Sequence, residues 1–390
     1  MDCAELLRII KKGEDSKTQF KARIDSIDAL AAELCAFANT EGGFILVGVS
    51  DRGELIGVDD VNKLNQMISN AASAKLEPPL SVFTQNLVCE GKIIVAINVP
   101  RGENKPYAAN KTDYWIKVGA DKRRASREEL RRLMQASGGI YADELIVPGT
   151  SIEDLDMFIF RDFYEREYGV SVESSYISIE KLLNNLKLMK DGMLTLAGLM
   201  LFGRRPALIR PQFIIKAVAF PGNDVSLTRY LDSENIEGIL LKQYEDAMAF
   251  LKRNLRKVQL GQNVNLPGIL EIPEIALQEA VVNALVHRDY FIDSSIRIFV
   301  FEDRVEIISP GKLPNTATVD SIKQGIQIAR NPILLSFIPK LKIPYRGIGS
   351  GIRRMIAECK AAGLQEPELI EDVNLNQFRV VFHRRYIPEK

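Results

Sequence analysis

Glu279 and Asn283 lie four residues apart in Leu277-Gln-Glu-Ala-Val-Val-Asn-Ala-Leu-Val-His-Arg-Asp-Tyr290. That spacing stacks a carboxylate and a carboxamide on one helical face. Ala280, Val281, Ala284 and Leu285 are left to pack the opposite side. Downstream, Gly347-Ile-Gly-Ser-Gly351 opens a further helix. Its glycines let backbone amides approach phosphate oxygens without Cβ interference, and the helix N-terminus favours an anion. Arg353 and Arg354 add positive charge in the first turn. Together these residues describe a nucleotide-phosphate site: Glu279 polarises a water for attack on a γ-phosphate, and Asn283 lends its carboxamide oxygen to Mg²⁺. The competing reading is a tight glycine turn and a solvated helix face.

His287-Arg-Asp289 imitates a protein-kinase catalytic loop, but position 294 is Ser where that loop needs Asn, and no Asp-Phe-Gly follows. His287 and Arg288 are instead placed to order a helix C-terminus, where positive charge is favourable. A phosphate contact from Arg288 is the alternative. A second cluster, Lys117, Lys122, Arg123, Arg124, Arg127, Arg131 and Arg132, follows Tyr114-Trp115. Such a ridge beside an aromatic neutralises phosphates without reading sequence. Its alternative is a solvated face balanced by Asp121, Glu128 and Glu129.

The elements that must position these groups fall into three expected regions. Residues 1–136 read as a mixed domain: a helix from Ile24 to Asn39, strands at Phe44–Val49, Lys92–Val99 and Tyr114–Val118, and a capping box at Ser126-Arg-Glu-Glu129. Residues 140–270 read as a mostly helical coupling region. It has N-caps at Ser151 and Ser178, a turn at Asp191-Gly192, a helix from Thr195 to Phe202, a strand from Phe213 to Phe220 and a helix from Ile236 to Val258. The two short helices about that turn allow a helix-turn-helix reading beside a plain packing unit. Residues 271–390 carry the Glu279 helix, a hairpin of 296–301 and 305–308, helices at 318–324 and 352–362, and a last strand at 377–383. The fold class expected is α+β.

Composition narrows the partners. With 51 Lys plus Arg against 51 Asp plus Glu, no global field draws the chain to nucleic acid or membrane, so any attraction is local. No apolar run approaches the roughly eighteen residues of a membrane span, and the acidic start lacks a signal peptide. A cytoplasmic protein without a membrane partner is expected. The four cysteines are scattered, without a CxxC pair, and read as small, mostly reduced core residues; neither a disulfide framework nor a zinc site is expected.

Two resemblances organise these readings. Ala276-Leu-Gln-Glu-Ala-Val-Val-Asn-Ala-Leu-Val-His-Arg-Asp-Tyr290, Ser309-Pro-Gly-Lys-Leu-Pro314, Arg330-Asn-Pro332 and Gly347-Ile-Gly-Ser-Gly-Ile-Arg-Arg-Met355 resemble the divergent GHKL ATPases. The resemblance is to the branch found C-terminal to Schlafen AlbA-type domains. It implies a Bergerat-type α/β sandwich holding ATP and Mg²⁺ between helices and sheet, under a lid between Gly311 and Gly347. Glu279 would be catalytic. Asn283, Arg288, Gly311, Arg330, Asn331, Gly347, Gly349, Gly351 and Arg353 would bind nucleotide, with Asn283 also on the metal. Ser309 stands where the wider class has the Asp that reads adenine.

Ala36-Phe-Ala-Asn-Thr-Glu-Gly-Gly-Phe-Ile-Leu-Val-Gly-Val-Ser-Asp-Arg-Gly53, Lys105-Pro-Tyr107 and Tyr114-Trp-Ile-Lys-Val-Gly-Ala-Asp-Lys-Arg124 resemble the Schlafen AlbA-type domain. That implies binding of DNA or RNA, assigned here to Lys21, Lys117, Lys122, Arg123 and Arg124. Some members cut RNA with three carboxylates. Of these, Glu14 and Asp51 match and Gln19 replaces the third, which marks a degenerate nuclease site.

The expected function is an ATP-binding, slowly hydrolysing regulator of transcription or another nucleic-acid transaction, acting as a homo-oligomer through helices such as Phe158–Tyr168 and Ile236–Val258. The alternatives are a non-catalytic nucleic-acid or protein-binding scaffold and, behind it, a Schlafen-like RNase. A helicase is not expected, because the chain has no GxxxxGK[ST] phosphate loop.

Overall fold

A computed structural model describes residues 1–174, 177–226, 229–258, 268–314, 317–345, 347 and 349–384. Residues 315, 316 and 346 of the expected lid, and Ile348 of the glycine loop, lie outside the described residues. The chain divides into two compact units, Met1–Ile140 and Tyr141–Lys390.

In the first unit a four-stranded sheet is built from β1 (Thr18–Lys21), β2 (Gly43–Val47), β3 (Phe83–Cys89) and β4 (Lys92–Val99). The order is β1-β2-β4-β3; β1 and β2 run parallel and the other pairs antiparallel. Alternation along β2 and β4 sends Ile45, Val47, Val95 and Ile97 to one face and Leu46, Ile94 and Ala96 to the other. Helix α1 (Cys3–Lys12) covers the second face through Leu6. The first face is covered by α2 (Ile27–Asn39), in which every residue from Leu30 onward is buried, and by α3 (Val61–Ala74). Ser26 starts α2 by accepting the Ala29 N–H, three residues later than the expected start at Ile24. A hairpin of β5 (Trp115–Val118) and β6 (Asp121–Arg124) follows, then α4 (Arg127–Ala136), which opens with the expected capping box. The expectation of mostly reduced core cysteines holds for Cys35 and Cys359 and is corrected for the other two. Cys3 and Cys89 form a disulfide across 86 residues, joining the start of α1 to the end of β3. Pairing at such a separation leaves no spacing signal in the sequence.

The second unit overturns the expected boundary at 270/271. One six-stranded sheet draws on both sides of it: β7 (Ile215–Ala219), β8 (Asp232–Ile236), β9 (Ile296–Val300), β10 (Arg304–Pro310), β11 (Glu368–Asp372) and β12 (Gln377–His383). The order is β8-β7-β9-β10-β12-β11, with β7 parallel to β9 and the other neighbours antiparallel. Register aligns Ala217, Ile298, Ile307, Val380 and Leu369 across one face. One core then joins this face to helices from both expected regions. These include α5 (Met157–Tyr168), α6 (Ile179–Asn185), α7 (Leu196–Phe202), α8 (Leu240–Asn254), α9 (Glu274–Val286), α10 (Val319–Lys323), α11 (Pro332–Phe337) and α12 (Gly351–Ala361). Phe163 (tilted) and Phe202 (edge-on) pack against Phe337 with ring centroids 5.5 and 5.9 Å apart, so the "helical middle" packs on an element more than a hundred residues downstream. The helix expected from Ile236 begins only at Leu240, because Ile236 ends strand β8. The helix-turn-helix reading is corrected as well. A short antiparallel pair, 189–190 with 193–194, separates α6 from α7, and every residue of α7 is buried. It has no face left to read a groove.

Candidate functional site

Helix α9 is buried nearly all round, so its polar residues are held rather than solvated. Glu279, 1% exposed, carries the site. Its Oε1 accepts from Asn283 Nδ2 at 3.2 Å, which the four-residue spacing allows. Its Oε2 accepts from Arg354 at 2.6 Å. Gly351 begins α12 directly against this carboxylate, and a Cβ there would overlap it. Gly347 and Gly349 hold φ of 65° and 69°, which glycine adopts without steric cost.

A pocket between α9 and α12 on one side and β10 and β12 on the other collects these groups. Ala280, Ala284, Ile307, Ile322, Ile326, Ile352, Met355 and Val380 give it apolar walls. Asn283, Gly311, Arg330, Gly347, Gly349 and Gly351 line it with Glu279. Eight residues along α9, and so about 12 Å from Glu279, His287 lines the other end with Ser309 and Arg330. Burial, with the Arg330 guanidinium nearby, pushes the imidazole down to about 4, so it is neutral at physiological pH. Ser309 donates to the Ala284 carbonyl at 3.0 Å, which turns its hydroxyl hydrogen into the helix and leaves its lone pairs for a ligand. Arg330 is buried; it donates to the carbonyls of His287 (3.2 Å) and Lys312 (2.7 Å), and its Nε has no partner. Gly311 (φ 97°) lies so close to Asp289 and this guanidinium that a side chain would not fit.

Three of the expected nucleotide contacts are placed elsewhere. Arg288, 1% exposed, spends its guanidinium on the carbonyls of Gln212, Ile292 and Ser294, and its charge sits over the rings of Phe213 and Tyr290. Asn331 is fully buried and caps the end of α9 through the Val286 and Arg288 carbonyls, both at 2.9 Å. Arg353 lies beside Gly325 and does not line the pocket. Arg354 does, one residue further round the helix. Sequence reasoning also passed over Tyr345, whose hydroxyl accepts from Gln327 at 3.0 Å, and His287 as a lining residue. The Glu279, Asn283, His287 series at successive four-residue steps was the available signal.

In the first unit, Glu14 Oε1 accepts from Gln19 Nε2 at 2.5 Å and from the Phe20 N–H at 2.6 Å. Gln19 Oε1 accepts in turn from Lys117 at 2.6 Å. Lys117 is buried under Phe37, and its desolvation lowers the ammonium's pKa against the pull of Glu33 and Glu14. It is therefore not presented to a surface ligand, as had been expected. Lys122 (2.6 Å) and Lys21 (3.6 Å) converge on buried Glu33. Arg123 and Arg124 are exposed and pair with Glu129 and Asp113. Lys122 and Arg124 both lie about the Trp115 ring, at 5.9 and 5.7 Å. Asp51 lies exposed in the turn that follows Val49. Among the described residues no three acidic, His or Cys side chains are gathered to hold a metal.

With that geometry in hand, residues 14–126 match the family described as Schlafen, AlbA_2, and residues 293–382 match that of ATP-dependent DNA helicase recG C-terminal. An AlbA_2-type domain and an ATPase-like domain are joined in one chain. The AlbA_2-type match covers the Gln19 and Trp115 clusters. The ATPase-like match covers β9 to β12 and the glycine loop, and begins after Glu279 and Asn283. Among solved structures, the DIP2311 protein from Corynebacterium diphtheriae is 22% identical over 98% of this chain and 69% of that one, with a TM-score of 0.46. The N-terminal domain of a RecG-related protein from Nitrosomonas europaea is 23% identical over 32% of this chain and 90% of that one, with a TM-score of 0.26. Comparison with curated proteins gives no match. No helix among the described residues is long and apolar enough to cross a membrane.

Proposed function

We propose that the 141–390 unit binds ATP with Mg²⁺ and hydrolyses it slowly, and that the 1–140 unit binds nucleic acid, so that the chain acts as a nucleotide-dependent regulator of a DNA or RNA transaction. The observation that carries this reading is the convergence of Glu279, Asn283 and the Gly347–Gly351 loop on one apolar-walled pocket between helices and sheet. The residues fit the ligand. The apolar walls suit a base, Arg330 Nε and Arg354 Nε are buried donors without partners, and the glycines leave room for phosphate at a helix N-terminus. Asn283 donates through Nδ2, so its Oδ1 remains for the metal, and Mg²⁺ held largely by phosphates needs few protein ligands. The bound metal supplies charge neutralisation on the phosphates. Glu279 takes the proton of a water whose oxygen attacks the γ-phosphorus as the bond to the β–γ bridging oxygen breaks.

In the first unit, Lys122 and Arg124 about Trp115 form the proposed nucleic-acid contact, with the exposed Arg123 of the same strand and with Lys21, which shares Glu33 with Lys122. Cutting is not proposed, because the Gln19 amide bridges Glu14 to Lys117 where a third carboxylate would stand. The oligomer is proposed as a homo-oligomer. A second reading, a non-catalytic nucleic-acid or protein-binding scaffold, is favoured by one feature: both oxygens of Glu279 already have partners.

Phosphate release from ATP tests the assignment. The wild-type chain should release phosphate, and Glu279→Ala should bind nucleotide yet release none. Equal turnover by the variant removes Glu279 from the chemistry; no turnover by either leaves the scaffold reading.

A further inference from the structure

Both carboxylate oxygens of Glu279 are engaged in the resting chain. Oε2 is in an ion pair with Arg354 at 2.6 Å, and Oε1 holds Asn283 and abuts Gly351. Arg354 differs from its partner in exposure. Its side chain is 25% exposed against 1% for Glu279, it lines the pocket, and it stands in the first turn of the helix that the glycine loop opens. Its Nε is buried with no acceptor, so the guanidinium fork is only partly used. A phosphate matches that planar fork as well as a carboxylate does, and carries more charge and more acceptor oxygens.

From this we infer that Arg354 is a phosphate sensor that locks the site when no triphosphate is bound. In the resting chain it neutralises Glu279. A terminal phosphate in the pocket draws the guanidinium away, and only then is the carboxylate free to accept a proton. ADP lacks that phosphate and leaves the pair closed. The inference rests on the nucleotide reading of the pocket and adds a rule to it: the base is armed by the group it will attack.

Affinity decides it without reference to turnover. Glu279→Gln keeps the shape of the side chain and removes its charge, so Arg354 no longer has to be taken from an ion pair. Titration of the full chain with a non-hydrolysable ATP analogue and Mg²⁺ should show this variant binding on the order of tenfold more tightly than wild type, with ADP affinity unchanged. Arg354→Gln should weaken the analogue by a similar factor and spare ADP. Equal analogue affinity in wild type and Glu279→Gln overturns the inference, and so does a matching gain for ADP. Should Arg354→Gln fail to fold, the Glu279→Gln comparison still decides. Failure of the wild type to bind either nucleotide overturns the nucleotide reading itself, a result distinct from binding without the predicted shift.

Discussion

Asp143 is fully buried, and its Oδ2 accepts the backbone N–H groups of Ile333 (2.7 Å) and Leu334 (3.0 Å) at the start of α11. Its other oxygen has no partner. Burial raises the carboxyl to about 6 despite those two hydrogen bonds. A group raised in the folded state contributes stability that is fully present below its unfolded pKa of 3.8 and is lost as pH rises through about 6. Wild type should therefore gain on the order of 2 kcal/mol relative to Asp143→Asn between pH 7.5 and pH 4, read from melting curves of both proteins. Parallel curves across that range would remove Asp143 as a titrating group. His287 works in the opposite sense: depressed to about 4, it adds stability above 6.5 that is lost as pH falls towards 4. At this scale the sequence exposed Glu279 and Asn283 through their spacing. It could not tell Arg288, Asn331 and Arg353 from true pocket residues, because the Gln212 carbonyl and Phe213 ring beside Arg288, the Val286 and Arg288 carbonyls that hold Asn331, and Gly325 beside Arg353 come from distant segments.

Elements show the limits of local reading more clearly. Helices α2, α7 and α9 and strands β9, β10 and β12 were legible, since caps, turns and periodicity are local signals. Strand β8 was not: Asp232-Ser-Glu-Asn-Ile236 is polar at an outer position of the sheet and is defined by its pairing with β7. That pairing decides the domain boundary. Removing residues 141–270 takes away β7 and β8, which pair with β9 directly and through each other, and uncovers Ile298 and Ile307. A 141–390 fragment is predicted to melt cooperatively by circular dichroism, and a 271–390 fragment to show no cooperative transition. A folded, cooperative 271–390 fragment would contradict the single-core description.

For the whole molecule, balanced charge left local clusters as the expected place for anion attraction, and in the structure Lys122, Arg123 and Arg124 are each paired with an acidic side chain. The two-unit division was half visible. The break near residue 140 follows the Gly138-Gly139 pair, whereas the continuity through 270 depends on long-range pairing that a single sequence does not display. The disulfide between Cys3 and Cys89 was hidden for the same reason. Calorimetric titration of the intact chain with a non-hydrolysable ATP analogue and Mg²⁺ decides whether the pocket beside Glu279 is a nucleotide site. A nucleotide site should give saturable binding with one site per chain, accompanied by a rise in melting temperature. No saturable heat up to millimolar analogue, with an unchanged melting temperature, would contradict it.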